Sequence, residues 1–147
     1  MKNLLCLTGF AFFAHSALSQ EYKIEPVAGE LIAPLAGSYV GGNSYIISGK
    51  VYQGYDAGMI YRTDATSLAW AKSVFAVSEL QGQTITSNGD VVSVGQANSD
   101  ALIVRLNQSG ATLWTKTIGN NGSLVLMRGV MEDAAGNLVV VGSIRDN

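Results

Sequence analysis

The sequence predicts an all-β protein built from repeated four-stranded units of about 45 residues. From Gly41 onward, its strand-like runs are no longer than nine residues, rich in β-branched and aromatic residues, and bounded by Gly, Asn, Asp or Ser. Only 14% of the residues are charged, against an average of about 25%, and 17 of the 147 residues are Gly. Landmark residues also recur at a regular spacing. Together these observations favour a β protein with many turns.

The first 19 residues have the pattern of a secretory signal peptide. Lys2 precedes an apolar run over residues 4–14, and small residues at 17 and 19 form a cleavage pattern. The alternative is a buried N-terminal helix. The run is too short to cross a bilayer well, and Cys6 lacks the small preceding residue of a lipid-attachment site. We therefore expect an exported protein, secreted or at the periplasm or cell surface, with no transmembrane segment.

Cleavage after residue 19 would remove the only cysteine, Cys6, and the only histidine, His15. The mature chain from Gln20 would then lack the side chains needed for a cysteine nucleophile, a Ser-His-Asp triad, a disulfide or a Cys/His zinc site. Eight basic residues would remain against 11 acidic ones, without a basic run. Nucleic acid is therefore not expected as a partner.

The elements follow in order along the chain. Residues 20–42 hold both prolines, Pro26 and Pro34, and are expected to form a leader segment with one edge strand. The stretch 124–132 also resembles a short helix, but Gly129 at its centre favours a strand. The predicted strands are 44–51, 57–63, 68–74, 82–87, 91–96, 100–107, 111–119, 124–132 and 138–143.

The repeat is marked by glycines that end similar apolar runs. Gly49, Gly95 and Gly142 lie 46 and 47 residues apart. Three further pairs are each 44 residues apart, namely Asp56 and Asp100, Trp70 and Trp114, and Lys72 and Lys116. Such a period with four short strands per unit predicts a β-propeller in which each unit is one blade. Residues 43–147 would then form about two and a half blades; the alternative is chance similarity between hairpins.

The propeller hypothesis assigns a structural role to each landmark. The inner strands are apolar almost throughout, as expected of strands that are covered on both faces. The glycine that ends each run is expected to let the chain turn out of the crowded blade. The Trp is expected to pack a flat surface against the next blade.

The stretches "DALIVRLNQSGATLWTKTIG" and "EDAAGNLVVVGS" resemble the repeats of bacterial exported propeller proteins. "RTDATSLAW" is similar to the tryptophan-docked blades of quinoprotein-like (PQQ-like) propellers. The resemblance covers residues 43–147 and implies a fold more than a function. The first copy departs from the pattern, because Ser67 replaces the usual turn glycine and the turn is one residue shorter. Two and a half blades imply either the N-terminal piece of a longer propeller or short chains that assemble into a ring.

The candidate site residues all have a structural interpretation as well. Asp56 and Asp100 are metal-ligand candidates, but no calcium-loop spacing surrounds them and turn capping is favoured. Glu132 and Asp133 point to opposite faces of a strand and are expected to form a solvated turn. Asn107 and Asn121 each begin an N-glycosylation pattern. Trp70 and Trp114 fit sugar stacking less well than docking between blades. No catalytic, cofactor-binding or metal-binding residue is therefore predicted.

The function predicted from the sequence is that of an exported, non-enzymatic propeller repeat module with a binding or structural surface. Its partner would be a protein or glycan ligand, further blades, or another copy of the chain. The alternatives are a fragment of a quinoprotein-type oxidoreductase and a carbohydrate-binding surface protein. The quinoprotein resemblance implies a calcium ion held by Glu, Asn and Asp, usually with paired cysteines. Because the mature chain lacks cysteine and this constellation, no cofactor is expected.

Overall fold

Ten β-strands make up the part of the chain that the computed structural model describes, which is residues 31–52, 56–64, 66–74, 78–119 and 123–146. The expected signal peptide and residues 20–30 of the leader lie outside these ranges. The strands are β1 (Leu31–Gly41), β2 (Ser44–Tyr52), β3 (Asp56–Thr63), β4 (Leu68–Val74), β5 (Ser78–Ile85), β6 (Val91–Ala97), β7 (Asp100–Leu106), β8 (Thr112–Ile118), β9 (Leu124–Glu132) and β10 (Leu138–Arg145).

The strands form three antiparallel sheets. Sheet 1 has the order β1-β2-β3-β4, sheet 2 has the order β5-β6-β7-β8, and sheet 3 consists of β9 and β10. Within each sheet, strands that are adjacent in sequence pair with each other, so every connection within a sheet is a hairpin. The all-β prediction with antiparallel four-stranded sheets is thereby confirmed. The described strands do not close into a barrel, and no helix that could cross a membrane occurs among the described residues.

The largest differences from the predicted strands lie at β1 and β5. β1 occupies the second half of the expected leader and is an edge strand of sheet 1, which is where Pro34 is tolerated. The first sheet therefore begins before residue 43. β5 begins at Ser78, four residues before its predicted start, because Ser78 and Glu79 pair with Ala97 and Gln96 of β6.

Three hairpin turns share one conformation, at residues 86–90, 107–111 and 133–137. In each turn the N–H of the first residue donates to the carbonyl of the fifth at 2.9 Å. The fourth residue is always a glycine, with φ between 82° and 84°. Because a side chain disfavours such a left-handed backbone, glycine at the fourth position fixes this turn type.

Sheet 2 lies between the other two sheets. The face that carries Leu80 and Val104 packs on Ile46 and Ile60 of sheet 1. The opposite face is covered by sheet 3; the contacting residues are Val92, Val94 and Ile103 on sheet 2 and Met127, Val130, Leu138 and Val140 on sheet 3. β6 and β7 are therefore buried on both faces, which explains why their sequences are almost continuously apolar.

The recurring glycines lie inside strands, opposite β-bulges, and the expectation that they turn the chain out of the sheet is wrong. In β1, β5 and β9 one residue lies unpaired between the partners of the adjacent strand: Leu35, Gln81 and Arg128 respectively. The strand next to each bulge carries the glycine. A Cβ at Gly49, Gly95 or Gly142 would approach a backbone oxygen of the bulged strand to within 2.1, 1.9 or 2.1 Å. The glycine is therefore needed for close approach of two backbones.

Candidate functional site

Trp70 links sheet 1 to sheet 2. Its ring lies against Gly110 in the β7–β8 turn, where an added Cβ would come within 2.7 Å of the ring. Its indole N–H donates to the Gln108 carbonyl at 3.1 Å. Arg62 donates to the same carbonyl from the paired position on β3, at 3.4 Å. Trp70 therefore docks one sheet onto the next, and its side chain is occupied in packing.

The turn that receives Trp70 is itself held by a polar network. The Gln108 side chain donates to the Asn88 carbonyl at 3.0 Å and so connects the β5–β6 and β7–β8 turns. Asp90, which is buried, accepts from Arg105 Nε at 2.9 Å and from Asn88 Nδ2 at 3.0 Å. Because a half-buried Arg–carboxylate pair with several hydrogen bonds is rigid, this network presents a firm surface to the indole ring.

Trp114 occupies the same place in sheet 2 that Trp70 occupies in sheet 1, since each pairs with an arginine one strand inward, Arg105 and Arg62 respectively. Its surroundings differ, because Trp114 is 38% exposed. Leu113 and Ile118 on the same strand are exposed as well. β8 therefore presents an accessible apolar and aromatic surface.

The two aspartates considered as metal ligands lie apart from any ligand cluster. Asp56 forms an ion pair with Lys50 at 2.7 Å on the surface, and this hydrogen bond is the main cause that raises the pKa of Lys50. Asp100 faces the backbone of Gly119, where a Cβ would come within 2.5 Å of its carboxylate. Among the described residues no group of three or more His, Cys, Asp or Glu side chains is arranged to hold a metal ion.

The acidic pair at residues 132 and 133 does two separate structural tasks. Glu132 accepts a hydrogen bond from the Ser87 N–H and so joins sheet 3 to a turn of sheet 2. Asp133 caps its own turn by accepting from the backbone N–H groups of Ala135 and Asn137, and from the Asn137 side chain. These hydrogen bonds, with that from the Asn137 side chain first, lower the pKa of Asp133. Glu132 and Asp133 therefore bind separate partners and are not arranged as a general acid and general base.

Of the two asparagines that begin N-glycosylation patterns, the structure describes Asn107 and not Asn121. The Asn107 side chain caps its turn by accepting from the backbone N–H groups of Ser109 and Ala111 at 3.1 and 2.9 Å. Asp64 caps the β3–β4 turn in the same way, with Thr66 and Ser67 as donors, and these contacts lower its pKa. The shorter turn expected in the first copy is present at residues 64–67. Asn121 lies outside the described residues.

A groove that sequence reasoning missed lies between the end of β8 and the face of the β9–β10 sheet. It has a volume of about 380 Å³, and its walls include Ile118, Gly119, Met127, Val140, Gly142 and Ile144. Of the described strands, only β9 pairs with β10. The sequence of β10 is similar to that of β6, which pairs with a strand on each side. The sequence alone does not show which strands lie beside β10. The groove and the β8 surface are the two candidate binding surfaces.

Comparison with known proteins finds no family model that matches the chain and no curated protein that is significantly similar to it. Inferences about function therefore depend on the residues and contacts described above.

Proposed function

We propose that the chain is an exported, non-enzymatic β-propeller-type repeat module that serves as a binding or structural surface. The observation that carries the proposal is the same bulge and glycine pair in three successive sheets, at Gly49, Gly95 and Gly142. A shared irregularity at a shared place argues that the sheets are copies of one unit. The sequential strand order within sheets 1 and 2 is that of a propeller blade.

The packing between sheets supports the blade interpretation. β1 contacts β5, and β5 contacts β9, so the first strands of successive sheets are neighbours. Gly82 of β5 makes this approach close, because a Cβ there would lie 2.6 Å from the Arg128 carbonyl oxygen. Arg128 donates to the Gln81 side chain at 2.8 Å, which links the bulges of two sheets. The fourth strands lie outward; every residue of β8 is exposed. This arrangement fits blades that share an inner rim.

The non-enzymatic part of the proposal is tested by an oxidation assay. The purified chain is incubated with calcium, pyrroloquinoline quinone, a redox dye and a panel of alcohols and sugars. We expect the rate of dye reduction to equal that of a sample without protein. Turnover that scales with protein concentration and is lost on unfolding the protein would refute a non-enzymatic role and favour the quinoprotein alternative.

Carbohydrate binding is a second candidate because Trp114 is 38% exposed, whereas Trp70 is partly buried against the next sheet. Aromatic side chains with an open face are suited to stacking on sugar rings. On a glycan array, this candidate predicts binding that Trp114→Ala abolishes. The matched variant Leu113→Ala changes another exposed side chain of the same strand and should retain binding. An array without signal, or equal loss in both variants, would remove this candidate.

A further inference from the structure

Three buried side-chain oxygens in sheets 1 and 2 have no hydrogen-bond partner among the described residues. They are Ser48 Oγ on β2, Gln83 Oε1 on β5 and Ser93 Oγ on β6. Ser48 and Ser93 are both 0% exposed. A buried polar group without a partner is costly, and such groups in folded proteins usually bind an internal water molecule.

The strand pairings place all three side chains on the faces where sheets 1 and 2 meet. Ser48 lies two residues after Ile46 on β2, and alternate residues of a strand share a face. Ile46 packs in the core between the two sheets. Ser93 lies opposite Gln83 on one side and Val104 on the other, and Val104 belongs to the same core. Because directly opposite residues of paired strands share a face, Gln83 and Ser93 look toward sheet 1.

A hydrogen bond between the sheets brings the three oxygens into one region. Gln83 Nε2 donates to the Ile46 carbonyl oxygen at 2.6 Å. This contact also sets the orientation of the amide, because only its N–H group can donate to a carbonyl. Oε1 of the same amide therefore lies beside β2, where Ser48 follows about 7 Å along the strand from Ile46. Ser93 is the direct partner of Gln83 in sheet 2, so the three oxygens converge on one part of the interface.

We propose that this region holds an internal water molecule that hydrogen-bonds to Ser48, Gln83 and Ser93 and so links sheet 1 to sheet 2. Water suits these groups because it can donate to the Gln83 oxygen, which only accepts, and can donate to or accept from each hydroxyl. Three such bonds are the usual number for a buried water molecule. The inference concerns the interior of the described sheets, so it does not depend on the proposed function.

The residues around the three oxygens favour a small, neutral ligand. Elsewhere this interface is packed with branched aliphatic side chains such as Leu80. Ser48 instead lies opposite Ala36 of β1. On β6, Gly95 is the next residue after Ser93 on the same face. The small side chains leave more space between the sheets than the aliphatic ones do. None of the three polar groups carries a charge, and an unpaired ion would be costly in such a site.

The first test is the sign of the change in melting temperature when each hydroxyl is removed. If a water molecule binds the hydroxyls, Ser48→Ala and Ser93→Ala each lose a hydrogen bond, and the melting temperature should fall by about 2–8 °C. If the hydroxyls have no partner, their removal relieves an unsatisfied group, and the melting temperature should rise. Ser73→Ala is the matched control, since Ser73 is exposed on β4, and it should melt as the parent does.

The double variant Ser48→Ala/Ser93→Ala tests whether both serines bind the same water molecule. Either single substitution already weakens the binding of a shared water, so the second should cost less once the first has been made. We expect the fall in melting temperature of the double variant to be smaller than the sum of the two single falls. Falls that simply add would overturn the shared site.

Oxygen-17 relaxation dispersion of the solvent detects the water directly, because it reports long-lived internal water and does not respond to hydroxyl protons. The dispersion amplitude should be lower in the double variant than in the parent, by about one water molecule. Circular dichroism checks that each variant retains its sheets.

Three other results would overturn the proposal. The first is an equal dispersion amplitude in the folded parent and the folded double variant. The second is a melting temperature of Ser48→Ala or Ser93→Ala that is unchanged or higher. The third is a melting temperature that rises with added sodium, potassium or calcium chloride in the parent but not in the double variant, which would assign the site to a cation.

Discussion

Replacing Gly95 by alanine should destabilise the protein strongly. The new Cβ would lie 1.9 Å from the Glu79 carbonyl oxygen and 2.8 Å from the Leu80 Cα. β5 and β6 would have to separate by about 1 Å, which stretches N–H···O distances near 2.9 Å beyond hydrogen-bonding range. Each buried backbone group left unpaired costs about 1–3 kcal/mol, and two such groups bring the expected loss to about 4 kcal/mol.

The position of Gly95 makes the strain hard to relieve. β5 is confined by sheet 1 on one side and by β9 on the other. Gly142→Ala creates a similar clash, 2.1 Å from the Leu126 oxygen, but β9 is the one described strand that pairs with β10. Because fewer described strands confine β10 than β6, we expect Gly142→Ala to cost about half as much as Gly95→Ala, or about 2 kcal/mol.

Gly37→Ala is the control for these variants. Gly37 also lies within a strand, but a Cβ added there would lie 3.9 Å from its nearest neighbour, the Ile46 backbone oxygen, which is an ordinary contact distance. The free energy of unfolding should stay the same or rise by about 0.4–1 kcal/mol, since alanine reduces the entropy of the unfolded chain. Urea unfolding followed by circular dichroism gives all three values. The reasoning fails if the free energy of unfolding of Gly95→Ala lies within about 0.5 kcal/mol of that of the parent, or if Gly37→Ala is equally damaging.

Three further predictions concern the tryptophans and two titrating groups. Trp70→Ala should lower the free energy of unfolding by about 3 kcal/mol and Trp114→Ala by less than about 1 kcal/mol, because only the first ring packs between sheets; urea unfolding compares them, and equal losses would contradict the docking role. Burial raises the pKa of Tyr61 to about 12, so stability present below the unfolded pKa near 10 should fall as pH rises toward 12. Tyr61→Phe should remove that fall in melting temperature. The pKa of Asp133 is lowered by its turn hydrogen bonds, so the stability it gives should be present above about pH 4 and decrease as pH falls below it. Asp133→Ala should reduce this loss of stability at acidic pH, measured by thermal unfolding. An unchanged loss would argue against the capping role of Asp133.

Trp70 and Trp114 show how far sequence could predict the candidate site. Both stand in the same sequence pattern, and docking was predicted for both. Trp70 docks because residues 108–110 of the next sheet lie against it. Trp114 has the same local structure but stays accessible. Local sequence therefore predicted the strand position of each Trp. Exposure was decided by whether the next sheet supplies a turn equivalent to residues 107–111, and the described part of sheet 3 has no such turn.

The glycines and β5 show a different limit. The regular spacing of Gly49, Gly95 and Gly142 was visible in the sequence, but their role depends on a bulge in the adjacent strand. A bulge leaves little trace in one sequence, because Leu35, Gln81 and Arg128 share no residue type. The start of β5 was missed for a related reason. Glu79 has low β propensity, and its pairing with Gln96 of β6 overrides that propensity.

The contrast between β6 and β10 shows why the exposure of a strand could not be predicted from its sequence. Both strands are apolar enough for burial on two faces, yet only β6 is covered on both. An apolar strand sequence therefore shows that the strand is suited to burial on both faces. It does not show whether both faces are covered. Val141 is 60% exposed where the equivalent Val94 is 0% exposed, because sheet 3 covers Val94 and none of the described sheets covers Val141.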